Sequence, residues 1–421
     1  MNKYIASLFS VLLVSNLLWG QGTITLSGRV EDRESGTGVG FASVGLQHSP
    51  LSTVTNLDGY FTIKLPRFFS SDSIIFSSIG YNVKKISVES LSKPDPLVVK
   101  LIQSEKILDG VVVTDSLTAS EIMHLALQKM KENHPSDPAS MEVFYRERQL
   151  LDGAYVSLVE AALTIYDEYN VKKRKSPLRT KVRVNQLRRS LVYKHPFNSW
   201  WQQDNLMMHS WRLNPIPYDS RSLEKSAKKD EFKRVGMASV LGKSAFVVET
   251  DNTDFWKTTY YIQNGTYAVV RVEENFDEAI DGAKHWEMQG DSLPLNVHFK
   301  TRHVTVDFNK IDNKYHPTYI RVDASHEYHH EDKLLAQFGI IQDFIINDIN
   351  WEDPTVIERN EATRIGKSLV SKDYPYNEDF WNSYNVIKET PLETQLIKDL
   401  EQRASSLSVQ FEQNQKSTDK E

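Results

Sequence analysis

The chain has 421 residues, 40% of them hydrophobic and 25% charged, which is enough for two or three domains with buried cores. Its formal net charge of -6 argues against general nucleic-acid binding, because that function needs a concentrated basic surface to displace counterions from phosphate. The sequence contains no cysteine, which excludes disulfides, thiolate zinc sites, a cysteine nucleophile and a lipidated N-terminal cysteine.

The first twenty residues have the pattern of a secretory signal. A short basic segment precedes an apolar segment at residues 4–18, which ends near Gly20. The apolar segment is shorter than the ~20 residues that a membrane span needs, and Ser7, Ser10 and Asn16 interrupt it. We therefore expect residues 1–20 to be a signal peptide and the protein to be exported to the periplasm, the outer membrane or the extracellular space. An uncut N-terminal membrane anchor is the alternative.

Residues 23–103 predict a small β-sandwich. Short runs of alternating apolar residues are separated by Gly, Asp and Asn, as strands with one buried face and tight reversals require. Asp58-Gly59 is typical of a tight hairpin turn. The glycine-rich loop at residues 36–40 lacks the Gly-Lys-Ser/Thr of a phosphate-binding loop, so we interpret it as a turn. The predicted strands are 24–31, 42–47, 51–55, 60–65, 73–78, 83–88 and 97–101.

Four motifs in this stretch carry a family resemblance. They are Gly28-Arg29-Val30, Gly40-Phe41-Ala42-Ser43-Val44, Thr55-Asn56-Leu57-Asp58-Gly59-Tyr60-Phe61 and Ser78-Ile79-Gly80-Tyr81. With them the stretch resembles the carboxypeptidase-regulatory-like domain, a prealbumin-like seven-stranded antiparallel sandwich. The resemblance implies a non-catalytic module of Gram-negative envelope proteins, placed beside peptidases or ahead of outer-membrane receptors. A zinc carboxypeptidase companion is excluded, because no His in the chain is followed three residues later by Glu.

A linker and one helix follow at residues 104–139. Thr118-Ala119-Ser120-Glu121 is a capping box, and an apolar stripe continues behind it through Ile122, Ala126 and Met130. Asn133-His134-Pro135 should end this helix.

Residues 140–350 predict a large antiparallel β domain, a curved sheet or partial barrel. The clearest hairpin joins residues 255–263 and 266–272 through Asn264-Gly265, a pair suited to a two-residue turn. Two further strands are expected at 304–308 and 319–323, and a third at 334–346. The strand order is similar to that of periplasmic lipoprotein carriers. Residues 351–421 form a C-terminal extension, with a helix after Thr390-Pro391 and disorder beyond Gln402.

Two neighbouring clusters are candidate binding residues. A basic run without acidic residues suits contact with an anionic envelope surface, and the aromatic residues that follow it are able to stack on sugars or acyl chains. The alternatives are a solvated loop and aromatic side chains that fill the space between a sheet and a helix. The candidate residues are Lys172, Lys173, Arg174, Lys175, Trp200, Trp201 and Trp211.

His326-Glu327-Tyr328-His329-His330 contains the His-Glu-x-x-His pattern of zinc metallopeptidases. On a helix, His326 and His330 would share a face and bind one metal, with Glu327 as general base. The neighbouring residues alternate as strands, however, and on a strand residues four apart lie roughly 13 Å apart. We therefore expect no metal site here, and secondary structure at these positions decides the question.

These patterns predict a mainly β, non-enzymatic cell-envelope protein without a cofactor, which binds a protein, a glycan or a lipid and no nucleic acid. A zinc metallopeptidase that uses His326, Glu327 and His330 is the alternative, and lipid carriage is a third hypothesis.

Overall fold

The computed structural model describes residues 23–49, 51–91, 97–104, 117–168, 180–191, 220–229, 231–250, 257–289, 294–311, 313–363, 369, 374–384 and 391–413. Over these residues the protein is mainly β, as the sequence predicts. An N-terminal pair of small sheets is followed by one large sheet. No helix among the described residues combines the length and the apolar character needed to cross a bilayer.

Seven strands form the N-terminal sandwich. Their bounds are β1 Thr23–Asp32, β2 Ser43–Leu46, β3 Ser52–Val54, β4 Tyr60–Pro66, β5 Ser73–Ser77, β6 Lys84–Ser87 and β7 Leu97–Leu101. One sheet has the order β4-β1-β7 and the other β3-β2-β5-β6. The seven predicted strands are all present, but β7 pairs with β1 in parallel, so the fully antiparallel prediction is wrong at this pair. The chain reaches β7 by crossing from the other sheet, and only a hairpin connection would force antiparallel neighbours.

Alternation of buried and exposed residues along the strands builds the sandwich core. In β4, Phe61, Ile63 and Leu65 are buried and the residues between them are not. They meet Ile74 and Phe76 of the opposite sheet, and the rings of Phe61 and Phe76 lie edge to face at 5.5 Å between centroids. The sandwich therefore has a closed apolar core of its own.

Gly59 fills a position in the β3–β4 reversal that no other residue fits. Its φ is +83°, and a Cβ there would lie 2.2 Å from the carbonyl oxygen of Val30 and 2.9 Å from the Cα of Gly38. We expect Gly59→Ala to cost about 1–2 kcal/mol for the left-handed backbone and a further ~1–3 kcal/mol for the clash.

Gly153 is the matched control, because its φ is also +83° but a Cβ would have no neighbour within 4 Å. Urea unfolding of both alanine variants should show the larger loss for Gly59→Ala. Equal losses of unfolding free energy in the two variants would show that the close approach to Val30 does not contribute to the cost of Gly59→Ala.

The predicted capping box is present. The helix α1 spans Ala119–Gln128, the Thr118 side chain accepts a hydrogen bond from the Glu121 N–H, and the Glu121 carboxylate accepts one from the Thr118 N–H. A short second helix, α2 (Met130–Asn133), ends before His134. The buried face of α1, which includes Ile122 and Ala126, packs on the large sheet.

The large sheet contains eleven strands within the described residues, in the order β10-β9-β8-β18-β17-β16-β14-β13-β12-β11, with β15 paired to β16. Neighbouring strands are antiparallel, as predicted. Their bounds are β8 Ala139–Leu151, β9 Ala154–Asp167, β10 Lys181–Arg189, β11 Phe232–Val240, β12 Lys243–Thr250, β13 Lys257–Gln263, β14 Val269–Asp277, β15 Lys284–Gln289, β16 Pro294–Ile311, β17 Lys314–His330 and β18 Lys333–Asn350.

The hairpin at Asn264-Gly265 has a longer connection than the sequence predicts. The Gln263 N–H donates to the Ala268 carbonyl at 2.8 Å, so four residues rather than two lie between this hydrogen-bonded pair. Tyr267 adopts a φ of +58° and its ring stacks on Phe246. The contact between this ring and Phe246 therefore accompanies the longer connection.

The remaining helices lie outside the sheet. They are α3 Ser220–Lys228, α4 Glu278–Asp281, α5 Glu378–Ser383, α6 Pro391–Glu401 and α7 Leu407–Gln413. Helix α6 is where the sequence predicts it. Helix α7 occupies part of the tail that was expected to be disordered, because Gln410 and Phe411 are buried against the sheet. Gln410 is held by the N–H of Leu191, which donates to its side-chain oxygen at 3.0 Å.

The two faces of the large sheet differ in chemistry. One face packs against α1 through apolar side chains and belongs to the largest core cluster. The other carries a row of alternating charges across five adjacent strands, which we call the charged row. From β10 to β17 it consists of Arg188, Glu160, Arg146, Asp343 and Arg321.

Each carboxylate of the charged row bridges cations on both sides. Glu160 accepts hydrogen bonds from Arg146, at 2.6 Å, and from Arg188. Asp343 accepts from Arg321 at 3.0 Å, from Arg148, and from the Tyr319 hydroxyl at 2.6 Å. Buried charges are tolerated only with such pairing. The sandwich and the C-terminal helices cover this face, with Phe41 over Arg321 and Trp381 over Arg188.

Candidate functional site

The sequence-predicted binding residues cannot be placed relative to a site. Their positions lie outside the described residues, so contact with an anionic surface or with acyl chains stays a prediction. These residues are Lys172, Lys173, Arg174, Lys175, Trp200, Trp201 and Trp211.

The structure places the His-Glu-x-x-His pattern on β17, not on a helix. His326 pairs across the sheet with Phe299 and Phe338, and its ring lies 5.2 and 6.2 Å from theirs. Strand alternation therefore points Glu327 to the opposite face of the sheet from His326 and His330. The geometry of a zinc peptidase is not formed.

Glu327 has other partners on its own face. Its carboxylate contacts the His329 imidazole at 3.2 Å and the Lys300 ammonium at 3.7 Å. Burial lowers the pKa of His326 to about 4, and the nearby Arg302 charge acts in the same direction. No group of three His, Cys, Asp or Glu in the described part of the chain is arranged to bind a metal ion.

Among the described residues, a cleft between the sandwich and one end of the large sheet is a candidate concave site. Its volume is about 380 Å³, within the ~300–1,000 Å³ usual for small-molecule sites. The sandwich side is the surface of β2, β3 and β5, and the opposite side comes from β12, β13, β16 and β17. We call it the sandwich–sheet cleft. Its principal lining residues are Ser43, Gly45, Ser49, Ser52, Ser77, Lys243, Gln263, Asn309, Lys310, Tyr315 and Thr318.

Hydrogen bonds across the cleft fix its two walls together. The Asn309 amide donates to the Ser43 hydroxyl at 3.3 Å, and the Ser52 hydroxyl donates to the Ile346 carbonyl at 3.4 Å. Val54 of β3 also packs against Tyr319 and Ile345 of the large sheet. These contacts hold the two walls together at the edge of the cleft.

Polar and apolar atoms contribute about equally to the lining of the cleft, and its charged side chains are all positive. Hydroxyl and amide groups make up most of the polar part, Lys243 and Lys310 are exposed, and none of the described lining residues is Asp or Glu. Burial raises the pKa of the Tyr315 hydroxyl, which stays protonated and donates to the Gln263 side-chain oxygen at 2.6 Å. Such a lining can bind hydroxyl groups and one or two negative charges.

Sequence reasoning did not identify this cleft. Its residues are spread from Ser43 to Thr318 and form no motif of fixed spacing. The only local signal is the high serine content of the early strands, and serine is common in the turns of any sandwich.

The family comparison agrees with the N-terminal fold. Residues 26–113 match the CarboxypepD_reg-like domain family. This confirms the resemblance predicted from the four sequence motifs. The CarboxypepD_reg-like domain thus supplies one wall of the sandwich–sheet cleft, since β2, β3 and β5 lie within the matched residues.

No curated protein matches the chain. Among solved structures, a LolA superfamily protein from Nitrosomonas europaea is 12% identical, and the match covers 59% of this chain and 99% of that chain with a TM-score of 0.21. The MucA/MucB complex structure from Pseudomonas aeruginosa is 10% identical and covers 53% and 93%, with a TM-score of 0.17. At these scores the likeness supports no functional conclusion.

Proposed function

We propose that this protein is a non-enzymatic binding protein of the cell envelope and that the sandwich–sheet cleft binds an anionic glycan. The observation that carries the proposal is the cleft lining of hydroxyls, amides and two lysines without a carboxylate. Sugar hydroxyls pair with Ser, Asn and Gln side chains, and a sugar carboxylate pairs with a lysine. The signal-like pattern of residues 1–20 supports export, with the ligand met in the periplasm or at the outer membrane.

The shape and chemistry of the cleft favour a glycan over a protein or a lipid as the ligand. A stable protein partner needs roughly 1,000 Å² or more of complementary surface, whereas this site is a concave cavity. A lipid chain needs a continuous apolar wall, and among the described lining residues only Leu46, Ile75, Leu241 and Ile311 are aliphatic. A short anionic oligosaccharide fits both the volume and the polarity.

Removing the two cleft lysines should abolish the charge-dependent part of binding. We expect oligogalacturonate to bind the wild-type protein and its methyl-esterified form, which lacks the charges, to bind at least about tenfold more weakly. In the Lys243→Gln/Lys310→Gln double variant, affinity for oligogalacturonate should fall by a similar factor. Isothermal titration calorimetry at low and physiological salt measures the affinity of each protein for each sugar.

Lys333→Gln is the matched control, since this exposed lysine lies at the start of β18 and does not line the cleft. It should bind as the wild type does. Equal affinity of the double variant and the wild type for oligogalacturonate, or no binding of the charged sugar by any variant, would refute the proposal.

A further inference from the structure

A groove opens on one side of the sandwich, between strand β6 of one sheet and strand β7 of the other. Each of these strands lies at the edge of its sheet within the described residues. At one end of the groove the Asn82 N–H donates to the Ile102 carbonyl and the Ser104 N–H to the Gly80 carbonyl, both at 2.8 Å. The groove has a volume of about 520 Å³ and shares no described lining residue with the sandwich–sheet cleft. We call it the edge groove.

Strand β7 directs main-chain hydrogen-bonding groups into the edge groove. Successive residues of a strand point their N–H and C=O groups to opposite sides. The Leu101 carbonyl accepts from the Arg33 N–H at 2.8 Å on the β1 side, whereas the Ile102 carbonyl accepts its hydrogen bond on the β6 side. The N–H and C=O groups of Val98 and Lys100 therefore face the groove, as those of Ile102 do. Among the described residues no strand pairs with β7 on this side.

The side chains around the edge groove are apolar or positively charged. Val98 and Ile102 are 52% and 44% exposed, although both are large aliphatic residues. Lys84, Lys100 and Arg33 also line the groove, and no Asp or Glu is among its described lining residues. The Lys84 ammonium donates to the Lys100 carbonyl at 3.4 Å, which confirms that this carbonyl faces the groove.

No carboxylate neutralises these three cations within the described part of the chain, where none of them forms an ion pair. Glu31 lies opposite Lys100 in the β1–β7 pair, but its carboxylate binds the Arg29 guanidinium at 2.8 Å. Asp32, the next residue of β1, is buried and accepts a hydrogen bond from the Gln103 amide at 2.8 Å. The edge groove therefore carries a positive charge that is free to attract an acidic ligand.

We propose that the edge groove binds an extended acidic segment of a partner protein, which adds to β7 as a further strand. Main-chain hydrogen bonds to Val98 and Lys100 hold the segment, as in other sheets that a peptide extends. Its carboxylates pair with the three cations, and its apolar side chains cover Val98 and Ile102. A second copy of the same edge would bring like charges together, so the lysines disfavour self-association and select an acidic partner.

Fluorescence anisotropy of the full chain with a labelled Glu-Val-Glu-Val-Glu-Val peptide, at low salt, tests the role of charge. The Gln-Val-Gln-Val-Gln-Val peptide has the same length and no side-chain charge, and we expect it to bind at least about tenfold more weakly. The Lys84→Gln/Lys100→Gln double variant should lose affinity for the Glu peptide by a similar factor. Lys85→Gln is the matched control, because Lys85 is exposed on β6 without lining the groove, and it should bind as the wild type does.

Val98→Pro tests the addition of a strand. Proline removes the N–H that faces the groove and breaks no hydrogen bond to β1. Val98→Ala is the matched control, since it shortens the same side chain but keeps the N–H. We expect Val98→Pro to bind the Glu peptide about fivefold more weakly than Val98→Ala does. Circular dichroism and melting temperature confirm that each variant is folded.

Several results would overturn the proposal. They are equal binding of the Glu and Gln peptides, wild-type affinity in the double lysine variant, no binding of either peptide by the wild type, and equal affinity of Val98→Pro and Val98→Ala. Displacement of the Glu peptide by an equal concentration of oligogalacturonate would identify a site for anions in general and would also contradict it. A wild-type dimer that Val98→Pro dissociates, measured by analytical ultracentrifugation, would identify a second copy as the occupant instead.

Discussion

Replacing Asp343 by asparagine is expected to lower the free energy of unfolding by about 3–5 kcal/mol. Asp343 is completely buried and accepts hydrogen bonds from Arg321, Arg148 and the Tyr319 hydroxyl. Burial alone would raise the pKa of its carboxyl, but Arg321 and Arg148 outweigh burial and lower it. An amide in its place would leave the buried Arg148 guanidinium without its counter-charge and Arg321 with only the more exposed Asp323.

Asp323→Asn is the matched control for this prediction. Asp323 also binds Arg321, at 3.0 Å, but 40% of its side chain is exposed. Its loss should cost no more than about 1 kcal/mol, as for other solvent-screened pairs. Urea unfolding of both variants measures the difference. If Asp343→Asn were as mild as Asp323→Asn, the charged row would have no structural role beyond that of a surface ion pair.

A second large effect is expected when the partly buried imidazole of His326 is replaced by a ring that does not titrate. Burial lowers the pKa of His326 from 6.5 to about 4, so the folded state resists protonation while the unfolded state does not. The stability that His326 contributes is therefore complete above pH 6.5 and is lost as the pH falls from 6.5 toward 4. At pH 5 this loss amounts to about 2 kcal/mol relative to pH 7.5.

His326→Phe should remove this pH dependence. The variant should gain about 2 kcal/mol relative to the wild type between pH 7.5 and pH 5, whatever its stability at pH 7.5. Urea unfolding of both proteins at the two pH values measures this gain in unfolding free energy. Comparison with the wild type at each pH cancels the contributions of the other buried groups, such as Glu147, whose pKa burial raises.

Tyr328→Phe provides the control on the same face of β17. Burial raises the pKa of Tyr328, so its hydroxyl stays protonated across this pH range. The stability difference between Tyr328→Phe and the wild type should be the same at pH 7.5 and pH 5. An identical pH response of His326→Phe and the wild type would show that His326 takes up a proton as readily in the folded protein as in the unfolded chain, so that folding does not lower its pKa.

Local sequence signals predicted the sandwich strands and the first helix closely. Residues 97–101 form β7 as predicted, and the capping box of Thr118 begins α1 at the next residue. The Asp58-Gly59 reversal is also present. Such features depend on backbone preferences and on alternation within a few residues, and a linear pattern records both.

At the histidine motif the same local rules predicted the secondary structure but not the surroundings of the side chains. Alternation predicted a strand there, and β17 confirms it. The pairing of β17 with β16 and β18 decides which face His326 occupies. The same pairing places Phe299 and Phe338 around its ring. The lowered pKa of His326 follows from that enclosure, so no spacing in the sequence predicted it.

What the sequence by itself determined is the succession of strands, their alternating faces and the family resemblance of the early module. Only the tertiary structure decided the parallel partner of β7, the sandwich–sheet cleft and the charged row. Arg148 and Asp343, for example, are separated by 195 positions and meet because β18 pairs with β8. The register between distant strands depends on how all their faces pack together. No short stretch of residues specifies that packing.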